Sequence, residues 1–265
     1  GQTLATGTGS TVVIHQDFNG DGKQDLAVSI AGSSPVSAGS AALFLGNGDG
    51  TFGPAIPISA GPNPSSVEGD DFNQDGKMDL MVTNGPSALA NANTVAVLLN
   101  TTLSVPSPTV SFGAPTFYAV GIDPRGSTSD MNNDGLSDIV VVNVGSNNVM
   151  ALFGNGAGGF AAPVTVLAGL SAPSGLDGDD INRDGKMDLI VSNAGNNTLT
   201  IATNTTSYLY TPTANYNGPD SFVFTVNDRT TTSAPATVNI TVQAQINATL
   251  LVTNTVDSGV GSLRQ

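Results

Sequence analysis

One nine-residue pattern, D-x-N-x-D-G-x-x-D, occurs four times in this chain, each time followed by an apolar run. The copies are residues 17–30 (DFNGDGKQDLAVSI), 71–84 (DFNQDGKMDLMVTN), 130–143 (DMNNDGLSDIVVVN) and 180–193 (DINRDGKMDLIVSN). They start at residues 17, 71, 130 and 180, so the period is 50 to 59 residues. That is too long for a helical-pair solenoid and suits a four-stranded blade. Whatever the chain folds into must use one supersecondary unit four times.

Each unit continues in the same way. The apolar runs 26–28, 80–82, 139–142 and 189–191 lead through a Gly/Ser/Asn turn to second runs at 41–45, 95–99, 149–153 and 199–202. These read as strands. Their apolar residues are consecutive rather than alternating, which predicts strands covered on both faces, as in stacked blades. The first and third units add a Gly-rich turn, 46–52 (GNGDGTF) and 154–160 (GNGAGGF), and a Pro-containing fourth strand. In the second unit a longer stretch, 100–112, replaces that turn, and the fourth unit lacks a fourth strand. With 32 Gly, 15 Pro and a single Glu (Glu68) in 265 residues, the composition opposes helices and favours short strands and tight turns. The expected fold class is all-β.

Charge and composition remove several functions. Seven basic residues against 21 acidic ones give a net charge of -14, the wrong sign for a phosphate backbone, so nucleic acid is excluded as a partner. No apolar run approaches the ~20 residues of a helical membrane span. The absence of cysteine rules out disulfides and thiolate metal sites, and 39% hydrophobic against 11% charged residues leaves enough apolar surface for a core.

The repeated loops carry the chemistry. In the first, Asp17, Asn19, Asp21 and Asp25 occupy positions 1, 3, 5 and 9, the carbonyl of Lys23 is available at position 7, and Gly22 at position 6 allows a sharp turn. This is the hard-oxygen shell that calcium prefers. The others repeat it with Asp71, Asn73, Asp75, Lys77 and Asp79; with Asp130, Asn132, Asp134, Leu136 and Asp138; and with Asp180, Asn182, Asp184, Lys186 and Asp188. Three carboxylates within nine residues repel one another unless a cation sits among them. An EF-hand requires Glu at position 12 and flanking helices; here position 12 is Val28, Val82, Val141 and Val191. The expectation is four Ca²⁺ sites on β-turn loops, against the alternative of metal-free Asx turns. Twelve of the 21 acidic residues are loop aspartates, and four bound Ca²⁺ would bring the net charge from -14 to -6.

The D-x-N-x-D-G-x-x-D-L loops, the strand after each and the GNGDGTF turn resemble the FG-GAP/VCBS repeats of secreted and surface proteins, over residues 1–206. That resemblance implies β-propeller blades with a calcium loop in each. Residues 208–242 (YLYTPTANYNGPDSFVFTVNDRTTTSAPATVNITV) are similar to the second half of a bacterial immunoglobulin-like or cadherin-like module, and residues 250–265 (LLVTNTVDSGVGSLRQ) resemble the opening of a secreted parallel β-helix protein. The organisation that follows is propeller-type repeats over 1–206, a partial immunoglobulin-like, β-sandwich-like segment over 207–243, and a strand and tail over 244–265. Its implied role is an extracellular, secreted or cell-surface, calcium-stabilised structural or adhesive protein of bacterial type, with surface glycans or proteins as partner classes. A lectin-like propeller and a non-catalytic accessory part of a secreted hydrolase are the alternatives.

No residue pattern points to catalysis. His15, the sole imidazole, precedes the first loop by two residues with no nucleophile elbow in the chain, and the pairs Asp70/Asp71 and Asp179/Asp180 read as additions to the loops rather than as an acid/base couple. Phe18, Phe72, Met131 and Ile181, at position 2 of the loops, are expected to point inward. Tyr118, Tyr208, Tyr210 and Tyr216 form no evident sugar platform. Residues 2–8 are expected to supply the strand missing from the fourth unit and so close a ring. The alternating face of Phe222, Phe224, Val226, Val238, Ile240 and Val242 predicts self-association by strand complementation, with residues 249–253 as donor.

Overall fold

The structure is a computed structural model describing residues 1–7, 9–32, 40–103, 106–204, 208–210, 218–224, 234–242 and 250–252. It is all-β, with no helix among the described residues. The chain divides into two units, Gly1–Asn182 with Lys186–Thr203, and Asn204–Gln265 with Arg183–Gly185.

The first unit holds four consecutive antiparallel sheets. The first comprises β1 (Ser10–Gln16), β2 (Asp25–Ile30), β3 (Ser40–Phe44) and β4 (Ile56–Ile58), and the second β5 (Pro64–Asp70), β6 (Asp79–Asn84), β7 (Thr94–Leu98) and β8 (Thr116–Ala119). The third comprises β9 (Pro124–Ser129), β10 (Asp138–Asn143), β11 (Asn148–Leu152) and β12 (Val164–Ala168); the fourth has only β13 (Pro173–Asp179), β14 (Asp188–Asn193) and β15 (Thr198–Ala202). Strands follow one another within each sheet as a meander, so every connection is local. β1 packs against β5, β5 against β9, and β9 and β10 against β13, while no packing of comparable extent joins β13 back to β1.

Sheet-on-sheet packing explains the unbroken apolar runs. Successive residues of a strand point to opposite faces, and in a stack both faces are interior. Leu80 and Val82 of β6 face back onto Ala27 and Leu43 of the first sheet. Met81, between them, faces forward with Val97 onto Ile139 and Val141. Val140 and Ala151 in turn meet Leu189 and Val191 of the fourth sheet. All six residues of β6 and all six of β10 are buried. Each sheet thus has a backward face, carrying the second residue of its middle strand, and a forward face, carrying the third.

Three expectations need correction or refinement. Of the stretch 2–8, residue 8 lies outside the described residues and residues 2–7 do not complete the fourth sheet: Gln2 exchanges hydrogen bonds with the backbone of Phe52 (3.0 and 2.7 Å), and Leu4 packs on Val28, Ala42 and Phe44, the backward face of the first sheet. The apolar backward face of the first sheet lies next to this stretch in the chain, and covering it wins over pairing with β15. The long stretch 100–112 does not replace the turn but keeps its bridge, since Asn100 bridges Phe112 as Gly46 bridges Phe52 and Gly154 bridges Phe160. Phe18, Phe72 and Met131 are buried as expected, but Ile181 is 42% exposed, the first unit having no fifth sheet to pack on the fourth.

In the second unit β16 (Tyr208–Tyr210) pairs with β19 (Leu250–Val252), and β17 (Gly218–Phe224) pairs with β18 (Ala236–Val242), both antiparallel. The proposed donor strand is therefore paired with its own chain. Val226, Tyr216 and the tail 253–265 lie outside the described residues, as do the side chains of Tyr208, Tyr210, Phe222, Phe224 and Val242. Ile240 is buried.

Candidate metal centres

Each acidic loop joins the first strand of its sheet to the second. Its path is set by two left-handed residues, position 4 (Gly20, Gln74, Asn133, Arg183; φ 57 to 71°) and the glycine at position 6 (Gly22, Gly76, Gly135, Gly185; φ 79 to 83°). The second is glycine in every copy because positive φ costs an L residue most where nothing local compensates. The first was not legible as a special position in the sequence.

The loop folds around its first aspartate. Asp17 Oδ1 accepts the backbone N–H of Gly20 (2.7 Å) and Asp21 (3.1 Å), and Oδ2 accepts that of Gly22 (2.7 Å). Asp71 accepts Asp75 and Gly76 (3.0 and 2.8 Å), and Asp130 accepts Asp134 and Gly135 (3.1 and 2.9 Å). At position 3, Asn19, Asn73 and Asn132 each accept the N–H of position 5 at 3.0 to 3.1 Å. At position 5, Asp21 and Asp75 each accept the N–H of Lys23 or Lys77 and pair with its ammonium at 3.1 Å, and Asp134 accepts the N–H of Leu136 (2.8 Å) and Asn132 Nδ2 (2.9 Å). Desolvation works against the ionised form of Asp21, but the backbone and ammonium of Lys23 hold it below the usual carboxylate range.

Position 9 behaves differently. Asp25, Asp79, Asp138 and Asp188 are fully buried. One oxygen of each accepts the N–H of position 2, from Phe18 (2.9 Å), Phe72 (3.1 Å), Met131 (3.0 Å) and Ile181 (3.1 Å). In the first three sheets the other oxygen accepts the N–H that opens the next turn, from Gly46 (2.9 Å), Asn100 (2.7 Å) or Gly154 (2.8 Å). Burial pushes all three carboxyls up, Asp79 to about 6; the amides oppose this, while Asp17 and Asp21, Asp75 and Asp71, or Asp134 reinforce it. The carboxylates of one loop are therefore close enough to disfavour one another's charge.

The remaining loop-adjacent residues have simpler roles. Asp70 and Asp179 accept the N–H of the loop's first residue, Asp71 (2.9 Å) and Asp180 (2.8 Å). His15 Nδ1 pairs with Gln24 Oε1 at 2.8 Å. Tyr118 is occupied in packing, its ring 5.7 Å from that of Phe160 and its hydroxyl accepting the N–H of Phe160.

The donor set fits a hard cation in type, since the side chains at positions 1, 3, 5 and 9 all carry oxygen acceptors. Among the described residues, however, no three acidic or histidine side chains already converge as a metal-ready group. Positions 1 and 9 are held by N–H groups and position 5 of the first two loops by a lysine, so binding a cation requires the position 5 ammonium to swing away.

Comparison with known families bears on both units. Residues 17–82 match the model of the FG-GAP-like repeat, and residues 158–241 match that of the bacterial Ig domain. The second match takes in β12 to β17 and most of β18, so it begins well before residue 207. No curated protein matches the chain. A lectin of Agrocybe aegerita, described as specifically recognising non-reducing terminal N-acetylglucosamine, is similar over 82% of this chain and 58% of its own, at 18% identity and a TM-score of 0.45. The chain thus spans less than two thirds of that lectin.

Proposed function

We propose that this chain is a calcium-stabilised, non-catalytic module of a secreted or surface-exposed protein, with a structural or adhesive role. The observation that carries the reading is one oxygen-bearing loop, built on the same hydrogen bonds, between the first two strands of successive sheets. The matches to an FG-GAP-like repeat and a bacterial Ig domain support it, since both are typical of extracellular proteins. Asp17, Asn19, Asp21 and Asp25, with the carbonyl of Lys23, would hold the ion in the first loop, and their equivalents would do so in the other three. A bound Ca²⁺ would supply two positive charges among the three carboxylates of each loop. The chain's own part is to pre-shape each loop: position 1 gathers the amides, the glycine at position 6 turns the backbone, and buried position 9 ties the loop to its sheet. Affinities of about 10⁻⁴ to 10⁻³ M, usual for extracellular modules, fit a compartment rich in calcium. Self-association by strand addition at the second unit belongs to this reading, because among the described residues β17 and β18 form a sheet of just two strands, and so small a sheet invites a further strand.

Isothermal titration of chelator-stripped protein with CaCl₂ tests the metal. Heat saturating near four ions per chain, reduced by one in Asp17→Asn, is the expected result. An absence of binding at millimolar calcium would sink the reading.

A further inference from the structure

The fourth sheet exposes positions that the other three sheets bury. Leu199 is 68% and Ile201 59% exposed on β15. Register fixes their equivalents: Ile201 lies opposite Ile190 as Leu43 lies opposite Ala27, Val97 opposite Met81, and Ala151 opposite Val140. Leu199 likewise corresponds to Ala41, Val95 and Val149. Every one of these equivalents is fully or almost fully buried, against the backward face of the following sheet.

The other end of the stack is the mirror case. Val13 of β1 lies opposite Val28 as Val67 lies opposite Val82. Val67 is fully buried and Val13 is 59% exposed. Beside it, Leu4 is the cover that the chain itself lays on this face.

We propose that the forward face of the fourth sheet docks on the backward face of the first sheet in a second copy of this chain, displacing Leu4. The three internal junctions define what such a face takes, and among the described sheets of the first unit only the first has its backward face without a neighbouring sheet. They also give contacts beyond the strands. Phe112 and Phe160 meet the position 2 residue of the preceding loop, Phe18 (6.2 Å) and Phe72 (5.3 Å), and Gly158 donates its N–H to Phe72 O at 3.0 Å. By the same offsets, Phe52 of one copy meets Ile181 of the other, and Gly50 N–H reaches the Ile181 carbonyl. Two different faces meet, so the contact is heterologous and propagates unless its rotation closes a ring. This goes beyond the functional reading above and uses neither the metal nor the strands of the second unit.

Sedimentation velocity on the whole chain tests it. Wild type should show concentration-dependent species above monomer. Leu199→Glu/Ile201→Glu, which spoils the forward face, and Val13→Glu, which spoils the backward face, should each weaken association at least tenfold. An equimolar mixture of the two variants should form a one-to-one pair and nothing larger, because each partner keeps one intact face. Circular dichroism melts matching wild type certify the variants; where a glutamate variant fails to fold, Leu199→Ser/Ile201→Ser or Val13→Ser replaces it. A monomeric wild type at high concentration, unchanged association in either variant, or failure of the mixture to pair overturns the proposal.

Discussion

Asp25, Asp79 and Asp138 each open the second strand of a sheet with both oxygens satisfied by backbone amides and nothing exposed to water. Removing such an acceptor strands two buried donors, and each unsatisfied group costs about 1 to 3 kcal/mol. Asp79→Ala should therefore lower stability by roughly 2 to 4 kcal/mol even in metal-free buffer, as read from urea unfolding in excess chelator. A loss under ~0.5 kcal/mol would show that the two amides find water instead. Glu68 offers a pH test. Burial, then the neighbouring charge of Asp70, pushes its carboxyl up. A raised acid is stabilising while protonated and loses that contribution as pH rises through its folded pKa. At pH ~7 the ionised Glu68 is thus a cost, and Glu68→Gln should melt higher than wild type by calorimetry, the gain vanishing near pH ~4. Equal melting at both pH values would exclude it. At this scale the ligand spacing was plain in the sequence because position and side-chain type are what a sequence displays. Backbone dihedrals are not, so Gln74 and Arg183 gave no sign that they turn left-handed.

The turn after the third strand shows how an element can survive the loss of its signature. Gly46 and Gly154 reach their phenylalanine partners six residues on, through a glycine-rich loop; Asn100 reaches Phe112 twelve residues on, through a segment with no such pattern. The conserved quantity is the bridge and the ring it delivers. Phe160 stands edge-on to both Phe72 and Tyr118, at 5.3 and 5.7 Å. Phe160→Ala should destabilise by about 3 kcal/mol, the low end for truncating a phenylalanine, since the ring is only partly buried. Hydrogen exchange should show the loss concentrated at β6, β7 and β10; uniform loss over all four sheets would contradict a local junction. The strands themselves were legible as consecutive apolar runs, because burial on both faces removes the need for alternation.

At the level of the molecule, the net charge of -14 is concentrated in the loops, twelve of the 21 acidic residues being loop aspartates. Excess chelator should therefore lower the melting temperature, with a larger drop at low ionic strength where repulsion is unscreened. One site held at 100 times its dissociation constant contributes about 2.7 kcal/mol. A melt indifferent to both chelator and salt would mean the loops stand as Asx turns alone. The period and its four copies were readable because repeats are a sequence property; the path of residues 1–7 was not, since it depends on which apolar face is left uncovered after the sheets have stacked.

The hydrogen bonds at the loop edge run without a break from sheet to sheet. Phe18 O receives Asn100 Nδ2 (2.9 Å), Asn100 N–H reaches Asp79, Asp79 receives Phe72 N–H, and Phe72 O receives Gly158 N–H. The first three sheets are stitched along this seam by backbone, amide and carboxylate groups that a shift of any one sheet would pull out of register. The loops are thus wired in series rather than hung separately: loosening the second slackens the seam on both sides of it, and whatever tightens one loop is felt by its neighbours through a thread of four hydrogen bonds.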